Sequence, residues 1–259
     1  MCRRIFSSFL LTAVFLPLGG FCQTPRRDPA AIAAVEQATA ALGGRTAVTK
    51  LTDCTAYGTI QPAPNSSATS GNFVWKSAGA EFRHDFSDGT STQTLVSGHG
   101  HPVVSLSGKN RRLLRHVAQA LPPLYLPALV LVSQVDNPSY SLKFIGLTAV
   151  SGQPAIHIRT SLGSDPVSAA LTPQDWYFDA TSGMPLSVEY RVPDSLNAEK
   201  WEPGAAEFSD FRPINGMAVP FRILIYEGPV QVSVVTLASV TFNAGVNPAD
   251  FAAPTGGAQ

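Results

Sequence analysis

The chain has 259 residues, of which 18 are Lys or Arg and 18 are Asp or Glu, so its formal net charge is 0. Removal of the N-terminal leader described below takes Arg3 and Arg4 away, which leaves 16 basic residues against 18 acidic ones. This slightly acidic balance argues against nucleic acid, or an anionic membrane surface, as the main partner.

Residues 1–22 have the organisation of a secretory signal peptide: a short basic stretch, an apolar stretch, and small residues ahead of a cleavage site before Gln23. The segment is too short and wrongly flanked for a lasting membrane span. A lipoprotein signal with Cys22 lipidated is the alternative, which the bulky Phe21 disfavours. We therefore expect a periplasmic or secreted protein.

Cys54 is the one cysteine left in residues 23–259, because Cys2 and Cys22 lie in the leader. A single thiol cannot form an internal disulfide, so the fold must depend on its core. We predict that Cys54 is a buried, small apolar residue and not a nucleophile. No stretch of residues 23–259 has the composition of a linker, and a single domain is expected.

The first predicted helix covers residues 29–42 (PAAIAAVEQATAAL), with Asp28 as its N-cap and Pro29 in its first turn. Gly43 and Gly44 end it. The rest of the chain alternates apolar and polar residues with the period of a β-strand.

Short turn signals such as Ser151-Gly152 and Asn215-Gly216 separate these strands, so neighbours should be antiparallel. We count about ten strands with one apolar face. The predicted fold is mainly β with a few helices (α+β): a curved antiparallel sheet that forms an incomplete β-barrel.

The apolar stretch at residues 121–134 (LPPLYLPALVLVSQ) is interrupted by three prolines. It predicts one helix over residues 113–121, a break at Pro122-Pro123, and a second helix over residues 124–135. Such short segments cannot span the ~30 Å hydrocarbon core of a bilayer. We expect them to lie across the concave side of the sheet as a lid.

The order of several phrases resembles the lipoprotein carrier (LolA/LolB-like) superfamily of exported bacterial proteins, over most of residues 30–254. The phrases are "ALGG", "LPPLYLPALVLV", "GLTAVSGQPAIHI", "WYFDATSGMPLSVEY", "FSDFRPINGMAVPFRILIY" and "VTFNAGVNPADFAAP". The resemblance implies an open barrel under short helices, whose apolar interior holds the acyl chains of a lipid or of a lipid-modified protein.

If the sheet is such an open barrel, its apolar residues supply the wall of a lipid-binding cavity and the proline-rich segment supplies the lid. The predicted wall consists of Phe73, Trp75, Phe82, Phe86, Tyr140, Leu142, Trp176, Phe178, Val188 and Tyr190. The predicted lid consists of Leu121, Leu124, Leu126, Leu129 and Val130.

Two motifs contain residue types that could bind a cation. Residues 179–186 (DATSGMPL) favour a hairpin turn that Asp179 begins and in which Gly183 has a positive φ, because the oxygen ligands are too few for a calcium loop. His99 and His101 form a candidate zinc pair, but no third ligand has suitable spacing, and a surface turn is favoured. No metal and no other cofactor is predicted.

The sequence contains no Gly-x-Ser-x-Gly motif, no Cys–His pairing and no glycine-rich phosphate loop. The carboxylate pairs, such as Asp85–Asp88 and Asp175–Asp179, are spaced for solvated edges as easily as for a catalytic dyad. The sequence therefore favours a protein that is not an enzyme, and a secreted hydrolase is the least favoured alternative.

The basic cluster at residues 109–115 (KNRRLLR) precedes the predicted lid. It is interpreted either as the solvated start of a helix or as a rim that contacts lipid phosphate or an acidic partner.

The predicted function is that of a monomeric carrier of lipid or lipoprotein acyl chains. One alternative is a filled core with no cargo. Another is a cell-envelope module that binds a partner protein through its edge strands.

Overall fold

A computed structural model describes residues 25–64, 69–79, 81–98, 101–114, 117, 126–163, 165–194, 197 and 199–254. The described helices are α1 (Pro29–Ala41), α2 (Arg45–Thr49), α3 (Pro127–Asp136), α4 (Pro166–Leu171) and a 3-10 helix (Pro248–Phe251). The first strands are β1 (Asp53–Pro62), β2 (Gly71–Ala78), β3 (Glu81–Ser87), β4 (Thr92–Gly98), β5 (His101–Leu106), β6 (Lys109–Arg112) and β7 (Tyr140–Val150). The others are β8 (Gln153–Leu162), β9 (Gln174–Asp179), β10 (Pro185–Pro193), β11 (Trp201–Ile214), β12 (Met217–Glu227) and β13 (Val230–Phe242).

The 13 strands form one sheet in the order β6-β5-β4-β3-β2-β1-β13-β12-β11-β10-β9-β8-β7. All of its strand pairs are antiparallel. Two meanders, β1–β6 and β7–β13, are therefore joined where β1 pairs with β13, and β6 and β7 are the edges of an open sheet. The predicted fold class, an open antiparallel sheet with a few short helices, is confirmed.

Two-residue turns set the register of several hairpins. Ser151–Gly152 and Asn215–Gly216 combine a positive φ at both positions, 49° and 83° in the first turn and 48° and 83° in the second. These values belong to the turn type whose twist matches that of an antiparallel pair. Ser107–Gly108, with φ of 47° and 83°, forms a third such turn, between β5 and β6, which the sequence analysis missed.

One face of the sheet, called the inner face below, packs against α1. The helix begins and ends almost where predicted, and the residues that it buries are mostly alanine, so that it lies close to the strands. Asp28 occupies the N-cap position, but its carboxylate accepts from Arg26 Nε at 2.6 Å and Phe144 N at 3.2 Å and not from a helix amide. At the other end, Ala218 N donates to Leu42 O at 3.0 Å. The helix thereby reaches from β7 to the β11–β12 hairpin.

The second helix of the predicted lid exists as α3, which begins at Pro127 and not at residue 124. It packs beside α1, and an ion pair joins Arg45 to Asp136. The Arg27 guanidinium donates to the carbonyl oxygens of Val135 and Asn137, which satisfies acceptors that the end of a helix leaves open.

The first predicted lid helix, residues 113–121, is not supported at its beginning, and its remainder falls largely outside the described residues. The start of the basic cluster, Lys109–Arg112, is a strand and not a helix start, because the Ser107–Gly108 turn folds it back onto β5. Two short helices, α2 and α4, were not predicted.

The C-terminal segment, residues 247–254, crosses the outer face of β3–β6. Phe251 is only 3% exposed, and its backbone lies so close to Gly98 that a Cβ atom there would collide with it. Lys76 Nζ pairs with Asp250 at 2.9 Å, and Asn110 Nδ2 donates to Pro254 O at 2.5 Å. We call this segment the strap. It explains why Thr94, Val96 and Ser105 are buried although they project from the outer face.

Candidate lipid-binding face

The predicted wall divides into two halves that differ in burial. Under α1 and α3, the wall residues are almost completely covered: Leu142, Trp176 and Val188 are 0% exposed and Phe178 is 1% exposed. Tyr190 is buried as well, and the Trp176 and Phe178 rings stack at a centroid distance of 6.2 Å. This covered half is part of the core cluster and is filled by protein side chains.

The other half of the inner face belongs to β2–β6 and is called the open half below. Here Trp75, Phe82 and Phe86 are half-buried, although Phe73 is 2% exposed. The register places Phe73 opposite Phe86, and Ser77 opposite Phe82, so these side chains share one face. Tyr140 is the exception in the predicted set, because it is half-buried but belongs to the far edge strand, β7.

Two apolar residues of the open half were missed by the sequence analysis. Leu95 and Val104 pair across β4 and β5, and Leu95 faces His84 on β3. Both are half-buried. Leu95 and Val104 alternate along their strands with Thr94, Val96 and Ser105, and this two-residue period is the signal that could have located them. The period is obscured on β5, because valine occurs on both faces of that strand.

His84 lies in the middle of the open half. Its imidazole stacks on Phe73 with ring centroids 5.4 Å apart. Burial lowers the pKa of His84 to about 4, against an opposing effect of the Asp85 charge, so the ring is uncharged at neutral pH. The chemistry of this surface is therefore mainly apolar and aromatic.

The predicted lid residues divide in the same way. Leu126 is buried, and Leu129 and Val130 are partly buried against the core cluster, so this part of the segment packs onto the inner face. Leu121 and Leu124 lie outside the described residues.

A small polar cluster lies beneath α3. Gln174 Oε1 accepts from Gln134 Nε2 at 2.6 Å and from Trp176 Nε1 at 3.1 Å. Among the described residues, the buried atoms Gln134 Oε1 and Thr160 Oγ1 have no hydrogen-bond partner. Such atoms are costly to leave unpaired, so this is a point at which the interior departs from a purely apolar packing.

A histidine–aspartate pair on the outer face was not anticipated. His157 Nε2 lies 2.6 Å from Asp175 Oδ1, and Arg159 donates to both oxygens of the same carboxylate. The His157 ring also stacks on Tyr177 at 4.5 Å. These residues face one another across β8 and β9, and Arg159 occupies the carboxylate, so the arrangement is a cross-strand network that ties two strands together.

The predicted turn at Asp179 is confirmed. Its carboxylate accepts from Ser182 N at 2.6 Å and Thr181 N at 3.1 Å, and Gly183 has a φ of 76°. These hydrogen bonds lower the pKa of Asp179, in keeping with a turn in which the carboxylate acts structurally.

Within the described part of the chain, no group of three or more His, Cys, Asp or Glu residues could hold a metal ion. His99, one member of the candidate zinc pair, lies outside the described residues, and for His101 only the backbone is described. A helix long and apolar enough to cross a bilayer is likewise not found among the described residues.

No protein-family model matches the sequence, and no curated protein matches it in sequence. Solved structures do match. A domain classed as an outer membrane lipoprotein-sorting protein, from Vibrio parahaemolyticus, covers 85% of this chain and 95% of its own at 11% identity and a TM-score of 0.57. A DUF1329 family protein from Desulfovibrio piger covers 85% and 96% at 14% identity and a TM-score of 0.57.

These two matches extend over most of both chains, but their identities are low, so they establish likeness of fold and not of cargo. The resemblance that the sequence phrases predicted is thus confirmed at the level of the fold: the chain shares the fold of the Vibrio domain that is named for lipoprotein sorting.

Proposed function

We propose that the protein is an exported, non-enzymatic carrier that holds acyl chains of a lipid, or of a lipid-modified protein, against the open half of its inner face. The observation that carries this proposal is the contrast in burial. Trp176 and Phe178 are sealed in the core, whereas Trp75, Phe82 and Phe86 on the same face remain half-buried. Large apolar side chains that stay partly exposed together mark a surface for an apolar ligand.

The energetics of such binding are favourable without specific recognition. Each methylene that moves from water to an apolar surface contributes ~0.8 kcal/mol, so ten of them give ~8 kcal/mol before the costs of ordering the chain. An apolar face with few polar groups would therefore select weakly among acyl chains. This agrees with a carrier and not with an enzyme.

The fold supports the same proposal, because a domain with this architecture is classed as a lipoprotein-sorting protein. The predicted signal peptide, residues 1–22, supports export of the carrier to the periplasm or its secretion. Residues 23–259 would then be a single lipid-binding domain that acts as a monomer. The intact mass of the protein recovered from producing cells should correspond to a chain that begins at Gln23.

Uptake of a fluorescent fatty acid tests the proposal directly. Leu95→Asp places a charge in the open half and should abolish uptake with little loss of stability, because Leu95 is only half-buried. Tyr57→Asp is the control, since Tyr57 is 47% exposed on β1 and faces away from the core. Native mass spectrometry of wild-type protein should show bound lipid. If native mass spectrometry shows the wild-type protein without lipid, and it does not take up the fluorescent fatty acid, the carrier proposal is refuted.

The second candidate is an envelope protein of the same fold that carries nothing and binds a partner protein. The complete burial of Leu142, Trp176 and Val188 favours it, because the covered half of the predicted wall is a filled core. Under this alternative, Leu95→Asp and Tyr57→Asp would behave alike in the uptake assay.

A further inference from the structure

Two rows of side chains cross the open half, and each row ends in a cation on the edge strand β6. Strand register defines the rows, because residues that pair across antiparallel strands project from the same face. The first row runs Phe73, Phe86, Gln93, Leu106, Lys109. The second row runs Trp75, His84, Leu95, Val104, Arg111. The rows change from buried or half-buried aromatic residues to exposed cations over four strand spacings of ~4.8 Å, or about 19 Å.

The charge on this face is one-sided. Lys109 and Arg111 are exposed, and no carboxylate shares the inner face with them in the described strands β2–β6. The acids of these strands, Glu81 and Asp85, project from the outer face, where Asp85 accepts from Arg83 Nε at 2.6 Å.

One acid, Asp88, lies in the β3–β4 turn at the same end of the sheet as Lys109. Its carboxylate accepts from Thr90 N and Ser91 N at 2.8 Å each, and from Thr69 Oγ1 at 3.0 Å. Those hydrogen bonds hold the pKa of Asp88 well below its usual range. The Asp88 carboxylate is thus hydrogen-bonded within the β3–β4 turn and does not neutralise Lys109.

We infer that Lys109 and Arg111 bind the anionic headgroup of a single amphiphile, a carboxylate or a phosphate, whose chain lies along the two rows. This inference rests on the proposed function and adds the class and orientation of the ligand. The headgroup stays at the solvated edge, where pairing with cations does not require burial of charge. The acyl chain points inward past Leu95 and Phe86 toward the filled core.

Binding of cis-parinaric acid and of its uncharged methyl ester to the full chain tests the inference. The variant Lys109→Gln/Arg111→Gln should bind the acid about fivefold more weakly than wild type, as expected for two exposed charge pairs, and the ester unchanged. Added salt should weaken the binding of the acid by wild type and not that of the ester. Arg112→Gln is the matched control, because Arg112 projects from the other face of the same strand.

The outcomes separate the two proposals. If wild type takes up the acid and the ester equally, and the double variant changes neither, the headgroup inference is overturned and the carrier stands. If the wild-type protein binds neither probe, both the headgroup inference and the proposed carrier function are refuted. Competition identifies the source of the anion: dodecyl phosphate should displace the acid, whereas displacement by inorganic phosphate at the same concentration would overturn the inference that an amphiphile is bound.

Discussion

Phe251→Ala should detach the strap from the outer face and destabilise the β3–β6 part of the sheet. The ring is 3% exposed, and loss of a fully buried phenylalanine side chain costs about 3–5 kcal/mol. Two further contributions change this cost. The Lys76–Asp250 ion pair is partly exposed and contributes at most about 1 kcal/mol, and the strap regains conformational entropy when it is released. We expect a net decrease of about 3 kcal/mol in the free energy of unfolding.

Urea denaturation followed by circular dichroism measures this loss, and amide hydrogen exchange locates it. Exchange should become faster in β3 and β4, next to the strap, and remain slow in β9, which lies under α1 and α3. Asp250→Asn is the control, because it removes the ion pair and keeps the ring, and it should cost less than about 1 kcal/mol. A Phe251→Ala protein within about 0.5 kcal/mol of wild type would show that the ring does not hold the strap.

Three further predictions concern the inner face. Since the unfolded chain protonates His84 as the pH falls through 6.5 and the folded chain does so only at about 4, the free energy of unfolding should fall by up to about 3 kcal/mol over that window. Urea titrations near both limits should show this loss, and His84→Phe should remove most of it. Burial raises the pKa of Cys54 to about 12, so iodoacetamide should modify it in urea but not in native buffer; rapid native labelling would contradict its burial. Gly58→Ala should lower the free energy of unfolding by about 1–3 kcal/mol, because its Cβ would collide with the backbone carbonyl oxygen of Thr236 and meet the Phe73 ring at 2.7 Å. Unchanged stability would show that both the β1–β13 pairing and the ring can adjust.

Much of the fold could be predicted, because the spacing of apolar residues and the residues that favour turns indicate the same helix and strand boundaries. Residues 29–42 follow a helical period, and the structure places a helix at Pro29–Ala41. Asn215–Gly216 forms the two-residue hairpin turn expected of that pair. The strand β6, which the sequence analysis interpreted as a possible helix start, lies at the edge of the sheet, where its inner-face side chains are exposed and little alternation is required. Lys109–Arg112 became a strand through pairing across a turn, which composition alone does not reveal.

The candidate site was harder to predict, because apolarity indicates which residues turn inward but not which of them other side chains cover. Trp176 and Trp75 are equivalent in the sequence pattern. One is 0% exposed beneath α1 and α3, and the other is half-buried on β2. That difference depends on where two helices lie across a sheet of 13 strands, which is a long-range property. The His157–Asp175 pair is similarly long-range, since only the β8–β9 register brings the two side chains together.

The pairing of β1 with β13, which joins the two meanders, has a consequence for folding during synthesis. Cys54 of β1 pairs with Phe242 of β13, so the first strand cannot complete its hydrogen bonds until the last of the described strands has been synthesised. Contacts so distant along the chain form slowly. A nascent chain with this topology can complete its native sheet only after β13 has been synthesised, so the β1 edge and the apolar inner face stay unprotected until then.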